Sequence, residues 1–213
     1  MTRKKIAVVA ATSMELDSLR NHCEAASFSN LEIMWIVTGV GMVNTAMQLT
    51  QQFATDCPSI AINMGIAGSF DASIAIGDTV QVHTDRIAYF GAEDSDTFLS
   101  AEQIGLCAIE DAVFKATYTK PIFPKAIAIT VNLAHGNSLS IQKAVELWNP
   151  QLESMEGAAF FKVCRHFEVP SIQIRTISNR VEPRNKDLWN IPLALQNLTN
   201  SMLLVLQNMN DGN

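Results

Sequence analysis

Short β-branched runs alternate with longer amphipathic segments along this chain, and this alternation constrains the fold more than any other feature. The predicted strands are 5–10, 31–38, 58–63, 79–83, 126–132 and 171–178. The predicted helices are 12–23, 43–54, 155–167 and 193–208. Such alternation is typical of a largely parallel sheet with helices on both faces. We therefore predict an α/β fold in a single domain, residues 1–213, built as a three-layer αβα sandwich around a central mixed, largely parallel sheet.

Composition and charge exclude several classes of protein. With 213 residues, 48% of them hydrophobic, the chain can bury a stable core and is neither disordered nor fibrous. The formal charge is −6 and the largest basic cluster is Arg3-Lys4-Lys5, so we expect no nucleic-acid partner and no anionic membrane partner. No apolar run reaches membrane-spanning length and no secretory leader precedes the first strand, which predicts a cytoplasmic protein.

Cysteines and histidines form no recognisable metal-binding or catalytic pattern. The cysteines are far apart and make no C-x-x-C pair, so we expect reduced thiols that fill the core: Cys23, Cys57, Cys107 and Cys164. The histidines are isolated in the sequence: His22, His83, His135 and His166. A G-x-S-x-G nucleophile elbow is absent. We therefore expect neither a metal nor a cofactor.

Polar residues follow several predicted strands, and ligands of parallel sheets bind at the carboxyl ends of the strands. After the first strand, Thr12-Ser13-Met14-Glu15 has the pattern of a capping box, with Thr12 as N-cap and Glu15 three residues later. The same carboxylate, at the mouth of a strand, is also suited to bind and activate a water molecule. Both interpretations remain open from the sequence.

The run Glu153-Ser154-Met155-Glu156 precedes a segment of small residues that is predicted to be helical. Ser154 is a suitable N-cap, and Glu156 in a first turn would favour the helix dipole without any function. A ribose site needs the same pair, since a carboxylate accepts hydrogen bonds from two adjacent hydroxyls and a methionine covers the apolar face of the sugar.

Two glycine-bearing segments follow predicted strands. Gly39-Val40-Gly41 imitates a dinucleotide fingerprint, but the position of the third glycine is Asn44 and no acidic residue follows at the right distance, so a Rossmann cofactor is not favoured. The segment 63–69, which includes Gly68, is expected to be either a tight turn or a loop that presents backbone N–H groups to an anion or a sugar.

The predicted strand 171–178 ends in Ser178 and Asn179. Asparagine favours turns, which would explain it without a function. Its amide also offers one acceptor and two donors in a plane, and can pair with the O6 and N7 edge of a 6-oxopurine. A carboxylate at this position would instead suit the amino edge of adenine.

Six segments together resemble the purine nucleosidase and nucleoside phosphorylase superfamily over nearly the whole chain, and within it the futalosine hydrolases of the alternative menaquinone pathway. They are Thr12-Ser13-Met14-Glu15-Leu16, Gly65-Ile66-Ala67-Gly68-Ser69-Phe70, Phe90-Gly91-Ala92-Glu93-Asp94, Met155-Glu156-Gly157-Ala158-Ala159, Ile177-Ser178-Asn179 and Glu182-Pro183-Arg184-Asn185. The resemblance implies a nucleoside phosphorylase/hydrolase-like fold and hydrolysis of the N-glycosidic bond of futalosine, which releases hypoxanthine and dehypoxanthine futalosine.

The resemblance also implies roles for individual residues. Glu15 corresponds to the carboxylate that activates water, and Met155 with Glu156 corresponds to the ribose-binding pair. Asn179 replaces an aspartate of the methylthioadenosine nucleosidases, which argues against adenine as the leaving base and leaves the general acid unassigned. Ser178 and Gly68 are further expected substrate-binding residues.

Alternatives remain at this point. A 5′-methylthioadenosine/S-adenosylhomocysteine nucleosidase and a nucleoside-binding module without catalysis both fit much of the pattern. Arg180, Arg184 and Lys186 are the candidates to bind the substrate carboxylate, unless they belong to a solvated loop. Phe70, Phe90 and Phe161 either stack on the base or lie in the core. The resemblance implies a homodimer or larger homo-oligomer. The irregular stretch 84–125 is expected to hold a lid, a partner contact or a short hairpin.

Overall fold

The computed structural model describes residues 3–25, 28–118 and 120–212, and this part of the chain forms ten strands and five α-helices. The strands are β1 Lys4–Ala10, β2 Leu31–Val37, β3 Ile60–Ser69, β4 Thr79–Ile87, β5 Gly91–Asp94, β6 Thr97–Ser100, β7 Val113–Lys115, β8 Lys125–Thr130, β9 Leu152–Ser154 and β10 Ser171–Arg180. The helices are α1 Ser13–Ala25, α2 Met42–Thr55, α3 Ser138–Trp148, α4 Gly157–His166 and α5 Ile191–Asn210. Short 3₁₀ turns lie at Ile109–Asp111 and Lys186–Leu188.

Eight of the strands form one mixed sheet in the order β10-β4-β8-β9-β3-β1-β2, with β7 beside β4. An additional parallel pairing of β10 with β3 closes the sheet on itself at one end. The β1–β2, β1–β3, β3–β10, β4–β8 and β8–β9 pairs are parallel, whereas β4–β10, β3–β9 and β4–β7 are antiparallel. The predicted mixed, largely parallel sheet is confirmed.

Alternating side chains of β1 explain the three layers. Ile6 and Val8 face one core, which is completed by apolar residues of α1 and α5. Ala7 and Val9 face the other core, which is completed by α2 and α4. Since successive side chains of a strand point to opposite faces, a strand that is apolar at every position has to be covered by helices on both sides. The predicted αβα arrangement follows from this burial.

Helix α3 and the end of strand β3 differ from what the sequence predicted. Helix α3 was missed because its apolar side chains are largely exposed, Leu139 among them, so that they give no clear core-facing stripe. Strand β3 does not end at Asn63 but continues to Ser69, since its backbone stays paired with β10. The predicted glycine loop at 63–69 is therefore wrong. The irregular stretch 84–125 contains β5 and β6, which form a hairpin, one of the three expectations for this stretch.

The cysteines differ in their surroundings. Cys23 and Cys164 are buried, as expected for core residues, and burial raises the pKa of the Cys23 thiol to about 11. Cys57 is exposed and Cys107 is half-buried, so the prediction that all four thiols fill the core is wrong for these two. None of the described helices has the length and hydropathy needed to cross a membrane.

Candidate active site

A cavity of about 420 Å³ opens at the carboxyl ends of β1, β3 and β10, where polar residues were predicted to gather. Its wall contains all six of the predicted site residues: Glu15, Gly68, Met155, Glu156, Ser178 and Asn179. The residues come from distant parts of the chain, and the pairing of β3 with β1, β9 and β10 brings them together.

Glu15 is both a capping residue and a wall of the cavity. Its Oε2 accepts hydrogen bonds from the Thr12 backbone N–H at 3.1 Å and from the Thr12 hydroxyl at 3.0 Å. Its Oε1 accepts a hydrogen bond from the backbone N–H of Ile66 on β3 at 3.1 Å. The capping box therefore holds a buried carboxylate in one orientation, and the two interpretations of Thr12 and Glu15 are compatible.

Glu156 is held just before α4. Its Oε1 accepts a hydrogen bond from the Gly41 backbone N–H at 3.1 Å, and its Oε2 accepts one from the Met155 N–H at 3.3 Å. Gly41 has a φ of +93°, a conformation that glycine adopts easily, and this turns its N–H toward the carboxylate. Ser154 lies in β9, so its expected role as the N-cap of this helix is wrong; α4 begins at Gly157.

Arg175 lies beneath the two carboxylates with a side chain that is only 1% exposed. Its Nη2 is 3.7 Å from Glu156 Oε2 and donates a hydrogen bond to Asn63 Oδ1 at 2.5 Å. A β-carbon at Gly65 would lie 2.2 Å from Arg175 Nη1 and 2.9 Å from Glu15 Oε1, so only glycine leaves space for this arrangement. Sequence reasoning missed Arg175, which lies within a predicted apolar strand.

A chain of buried hydrogen bonds continues from Arg175 away from the cavity. Arg175 Nε donates to Gln173 Oε1 at 3.0 Å, and Gln173 Nε2 donates to Asp85 Oδ2 at 2.9 Å. The hydroxyl of Thr130 donates to Asp85 Oδ1 at 2.8 Å and accepts from the Ala158 N–H of α4. Burial raises the pKa of Asp85 to about 6, although the hydrogen bonds from Gln173 and Thr130 oppose this shift. The network thus connects Glu156 to the packing of α4.

Asn179 is placed by a β-bulge. The register of β10 against β3 shifts between Ile177 and Asn179, so that Asn179 pairs with Gly68. Its Oδ1 accepts a hydrogen bond from the Ser178 hydroxyl at 2.8 Å, and its Nδ2 donates to the Arg180 carbonyl at 2.9 Å. These contacts fix the orientation of the amide and leave one N–H and one lone pair for a ligand.

His135 and Glu153 form a pair on the wall of the same cavity that the sequence did not predict. His135 Nδ1 is 2.5 Å from Glu153 Oε2, and the His135 backbone N–H donates to Glu153 Oε1 at 3.1 Å. The expectation that the histidines are isolated is wrong for His135. No local signal could have revealed the pair, because the two residues are 18 positions apart and meet only when β9 pairs with β3.

A second cavity of about 540 Å³ adjoins the first, and both are lined by Val131, Ala134, His135 and Arg184. The Arg184 guanidinium lies 5.2 Å from the centroid of the Trp189 ring. Arg180 instead donates to the backbone carbonyls of Asp71, Ala72 and Ile74 and is therefore engaged in the fold. Arg184 is thus the member of the three predicted cations that faces the site; Lys186 lines neither cavity.

The predicted stacking residues do not line the main cavity. Phe161 is in the core between the sheet and α4, and Phe70 packs against His135 with its ring centroid 5.9 Å away. Phe90 lies on the approach to the β5–β6 hairpin. Within the described residues, the aromatic side chain in the wall is Trp189. No group of three or more His, Cys, Asp or Glu side chains is arranged to hold a metal in the described ranges.

Comparison with known proteins shows the family of the chain. The family model described as the phosphorylase superfamily matches residues 5–207. The chain belongs to this superfamily. A futalosine hydrolase from Thermus thermophilus is 28% identical over 189 residues, which cover 81% of this chain and 80% of that protein. A 5′-methylthioadenosine/S-adenosylhomocysteine nucleosidase from Glaesserella parasuis is 24% identical, with 96% of this chain and 99% of that protein covered.

Solved structures of the superfamily share the fold. A 5′-methylthioadenosine/S-adenosylhomocysteine nucleosidase from Campylobacter jejuni superposes with a TM-score of 0.81 at 17% identity, covering 98% of this chain and 99% of that chain. The resemblance and the α/β fold predicted from the sequence are thus confirmed. All three of these relatives are nucleosidases, that is, N-glycosidic hydrolases, but their names give two different substrates.

Proposed function

We propose that the protein hydrolyses the N-glycosidic bond of futalosine and releases hypoxanthine and dehypoxanthine futalosine, a step of menaquinone biosynthesis. The observation that carries this proposal is the uncharged amide of Asn179 in one cavity with the carboxylates of Glu15 and Glu156. The amide can donate to O6 or N7 of a 6-oxopurine, while an ionised carboxylate has no donor for these atoms and suits the amino group of adenine.

The mechanism follows from the hydrogen bonds that orient these groups. Glu156 accepts hydrogen bonds from O2′ and O3′ of the ribose, and Met155 covers the apolar face of the sugar. As the bond between C1′ and N9 breaks, the ribose gains oxocarbenium character. Glu15, whose two oxygens are fixed by Thr12 and Ile66, directs a water molecule to C1′ and takes its proton. Preorganised groups of this kind need no reorientation during the reaction.

The charges around the cavity support water rather than phosphate as the nucleophile. Its charged lining residues, among those the structure describes, are the carboxylates of Glu15, Glu153 and Glu156 and the guanidinium of Arg184. A phosphate co-substrate would meet mostly negative charge here, and Arg175 below is already committed to Asn63, Gln173 and Glu156.

Arg184 is the group that we assign to the carboxylate at the far end of futalosine. Its guanidinium lies beside Trp189 at the junction of the two cavities, and it forms no salt bridge with an acidic side chain among the described residues. In this assignment the aromatic ring that carries the carboxylate of futalosine stacks near Trp189, and the carboxylate binds Arg184. A methylthio group offers no charge for this arginine.

The second candidate is a 5′-methylthioadenosine/S-adenosylhomocysteine nucleosidase, which the relative from Glaesserella parasuis favours because it matches almost the whole chain. Asn179 counts against it. A third candidate, a nucleoside-binding module without catalysis, is disfavoured by the fixed and buried carboxylate of Glu15. The chain is further proposed to form a homodimer or larger homo-oligomer, since α2 leaves Val43 79% exposed and Met47 58% exposed.

One incubation separates these candidates. The protein is incubated in parallel with futalosine, inosine and 5′-methylthioadenosine, and the freed base is identified by chromatography. We expect the protein to release hypoxanthine from futalosine, with a kcat/KM well above that for methylthioadenosine. Preferential release of adenine would establish the second candidate, and tight binding without release of any base would establish the third.

A further inference from the structure

The mechanism above leaves the departing base without a proton donor. When the C1′–N9 bond breaks, both bonding electrons pass to the purine, which leaves more easily if a ring nitrogen is protonated at the same time. The amide of Asn179 cannot supply this proton, and Glu15 and Glu156 are engaged on the water and ribose side. The His135–Glu153 pair in the cavity wall is used by no step so far.

The pair is held tightly and almost completely buried. The side chains of His135 and Glu153 are 4% and 6% exposed, and both Glu153 oxygens accept hydrogen bonds from His135, at 2.5 Å and 3.1 Å. Because Nδ1 faces the carboxylate, the orientation of the ring is fixed and Nε2 is the nitrogen left for a ligand. His135 is also common to both cavities.

The pair lies beside Asn179, on the same side as the expected base. A β-carbon at Gly68 would be 3.1 Å from Asn179 Nδ2 and 3.5 Å from Glu153 Cγ, so the Asn179 amide and the Glu153 side chain flank one glycine. Next to Glu153 in β9, the Ser154 hydroxyl is buried in the wall of the cavity and has no hydrogen-bond partner among the described residues. An unpartnered buried hydroxyl costs free energy unless a ligand or water satisfies it, which points to a polar ligand edge at this place.

We propose that His135, oriented by Glu153, donates the proton to the leaving base. This inference rests on the proposed nucleosidase function. The imidazolium Nε2 gives its proton to a purine ring nitrogen as that ring takes the electron pair of the C1′–N9 bond. Water adds its oxygen to C1′ and its proton goes to Glu15. Solvent then carries that proton back to His135, so that one nucleoside and one water give one sugar and one neutral purine base.

Other ionisable groups surround His135 and bear on its titration. Glu153 faces it from β9, Tyr89 faces it from the loop after β4 with ring centroids 5.9 Å apart, and Arg184 lines the same two cavities. Burial and the charge of Glu153 raise the pKa of Tyr89, which therefore stays neutral over the range in which histidine titrates. Glu15 and Glu156 complete the charged lining of the cavity.

The test is the pH profile of His135→Asn. Asparagine can keep a hydrogen bond to Glu153 but has no proton to give. We expect kcat on futalosine to fall by about 10²–10⁴-fold and the alkaline limb of the kcat profile to disappear. His166→Asn, at the exposed end of α4, is the matched control and should have the wild-type profile. Thermal unfolding of each variant shows whether it is folded.

Several outcomes would decide against the proposal. Wild-type kcat in His135→Asn overturns it, and so does a loss of activity in which the alkaline limb is unchanged, since that would indicate a packing role only. If His135→Asn does not fold, Glu153→Gln decides in the same assay. Its alkaline limb should move to lower pH, because an amide stabilises the imidazolium charge less well than a carboxylate does. An alkaline limb that does not move would reject His135 as the acid. A wild-type protein that releases no base from any nucleoside overturns the proposed function as well.

Discussion

The two sides of the cavity are built in different ways. On the proposed water and ribose side, Glu15 and Glu156 are anchored by backbone N–H groups from β3 and the turn before α2, and Arg175 supports them from a fully buried network. On the proposed base side, Asn179 and Glu153 are held mainly by their sequence neighbours or by a single partner, His135. The first side is thus part of the core of the sheet, whereas the second is formed by strand ends and a loop.

We propose that this difference allows one hydrolytic reaction to be kept while the leaving base varies. A change on the network side disturbs several buried partners at once, while a change on the base side alters few contacts besides those to the ligand. We therefore expect substitutions on the network side to affect turnover of every substrate or the folding of the chain. Substitutions on the base side should instead change the choice among substrates. Four variants test this comparison.

The largest effect is expected for Glu15→Gln. Glutamine keeps the capping box, since its carbonyl can still accept from Thr12, but its amide nitrogen cannot accept from the Ile66 N–H and it cannot take a proton from water. We expect kcat to fall by about 10²–10⁴-fold on all nucleosides, and the free energy of unfolding to fall by only about 1–3 kcal/mol because one buried N–H loses its acceptor. Initial rates and urea unfolding measure the two quantities. Asp17→Asn, exposed on the same helix, serves as the control, and full activity of Glu15→Gln would remove Glu15 as the base.

Arg175→Met tests the support of the network side. Methionine has a similar length but leaves Glu156, Gln173 and Asn63 without their buried partner. Loss of one member of a buried charged network costs about 3–5 kcal/mol of stability. Arg20→Met is the control, because Arg20 forms an exposed pair with Glu24 and such pairs contribute about 1 kcal/mol or less. Equal unfolding free energies for the two variants would show that the network is not coupled to the fold.

Asp85 gives the network side a pH dependence of stability. Burial raises its pKa from 3.8 to about 6, so the folded state holds the proton more tightly than the unfolded state. Stability is then greatest below about pH 4, falls as the pH rises to about 6, and is level above that. The total loss is at most about 3 kcal/mol. Asp85→Asn should lack this slope, and urea unfolding across this range compares the variant with wild type; parallel curves for the two proteins would contradict the assignment.

The sequence predicted the parts of this molecule that depend on local pattern. The continuous apolar run from Ile6 to Val9 defines a strand that is buried on both faces, and the layers follow from it. Glu15 and Asn179 were predicted to lie at one edge of the sheet because each follows a predicted strand, and parallel strands bring their carboxyl ends to one edge.

The parts that the sequence did not predict depend on contacts between distant residues. Arg175 and Asp85 lie in different strands and have no local pattern, so that only the pairing of β10 with β4 places them in one network. His135 meets Glu153 for a similar reason. The glycines of β3 were interpreted as a loop because their function, to leave space for Arg175, can be recognised only once the arginine is placed.

The smallest effect is expected for Asn179→Asp on the base side, and this variant most sharpens the comparison of the two sides. Asn179→Asp places a second carboxylate beside Glu153 across Gly68 and replaces the amide donor with an acceptor. The ratio of kcat/KM for futalosine to that for methylthioadenosine should therefore fall by about tenfold, or about 1.4 kcal/mol, with little change in stability. Asn208→Asp on the exposed face of α5 adds the same charge away from the cavity and should leave the ratio alone. A ratio that does not change would show that Asn179 does not select the base. The distinction between the network side and the base side would then depend on His135 and Glu153.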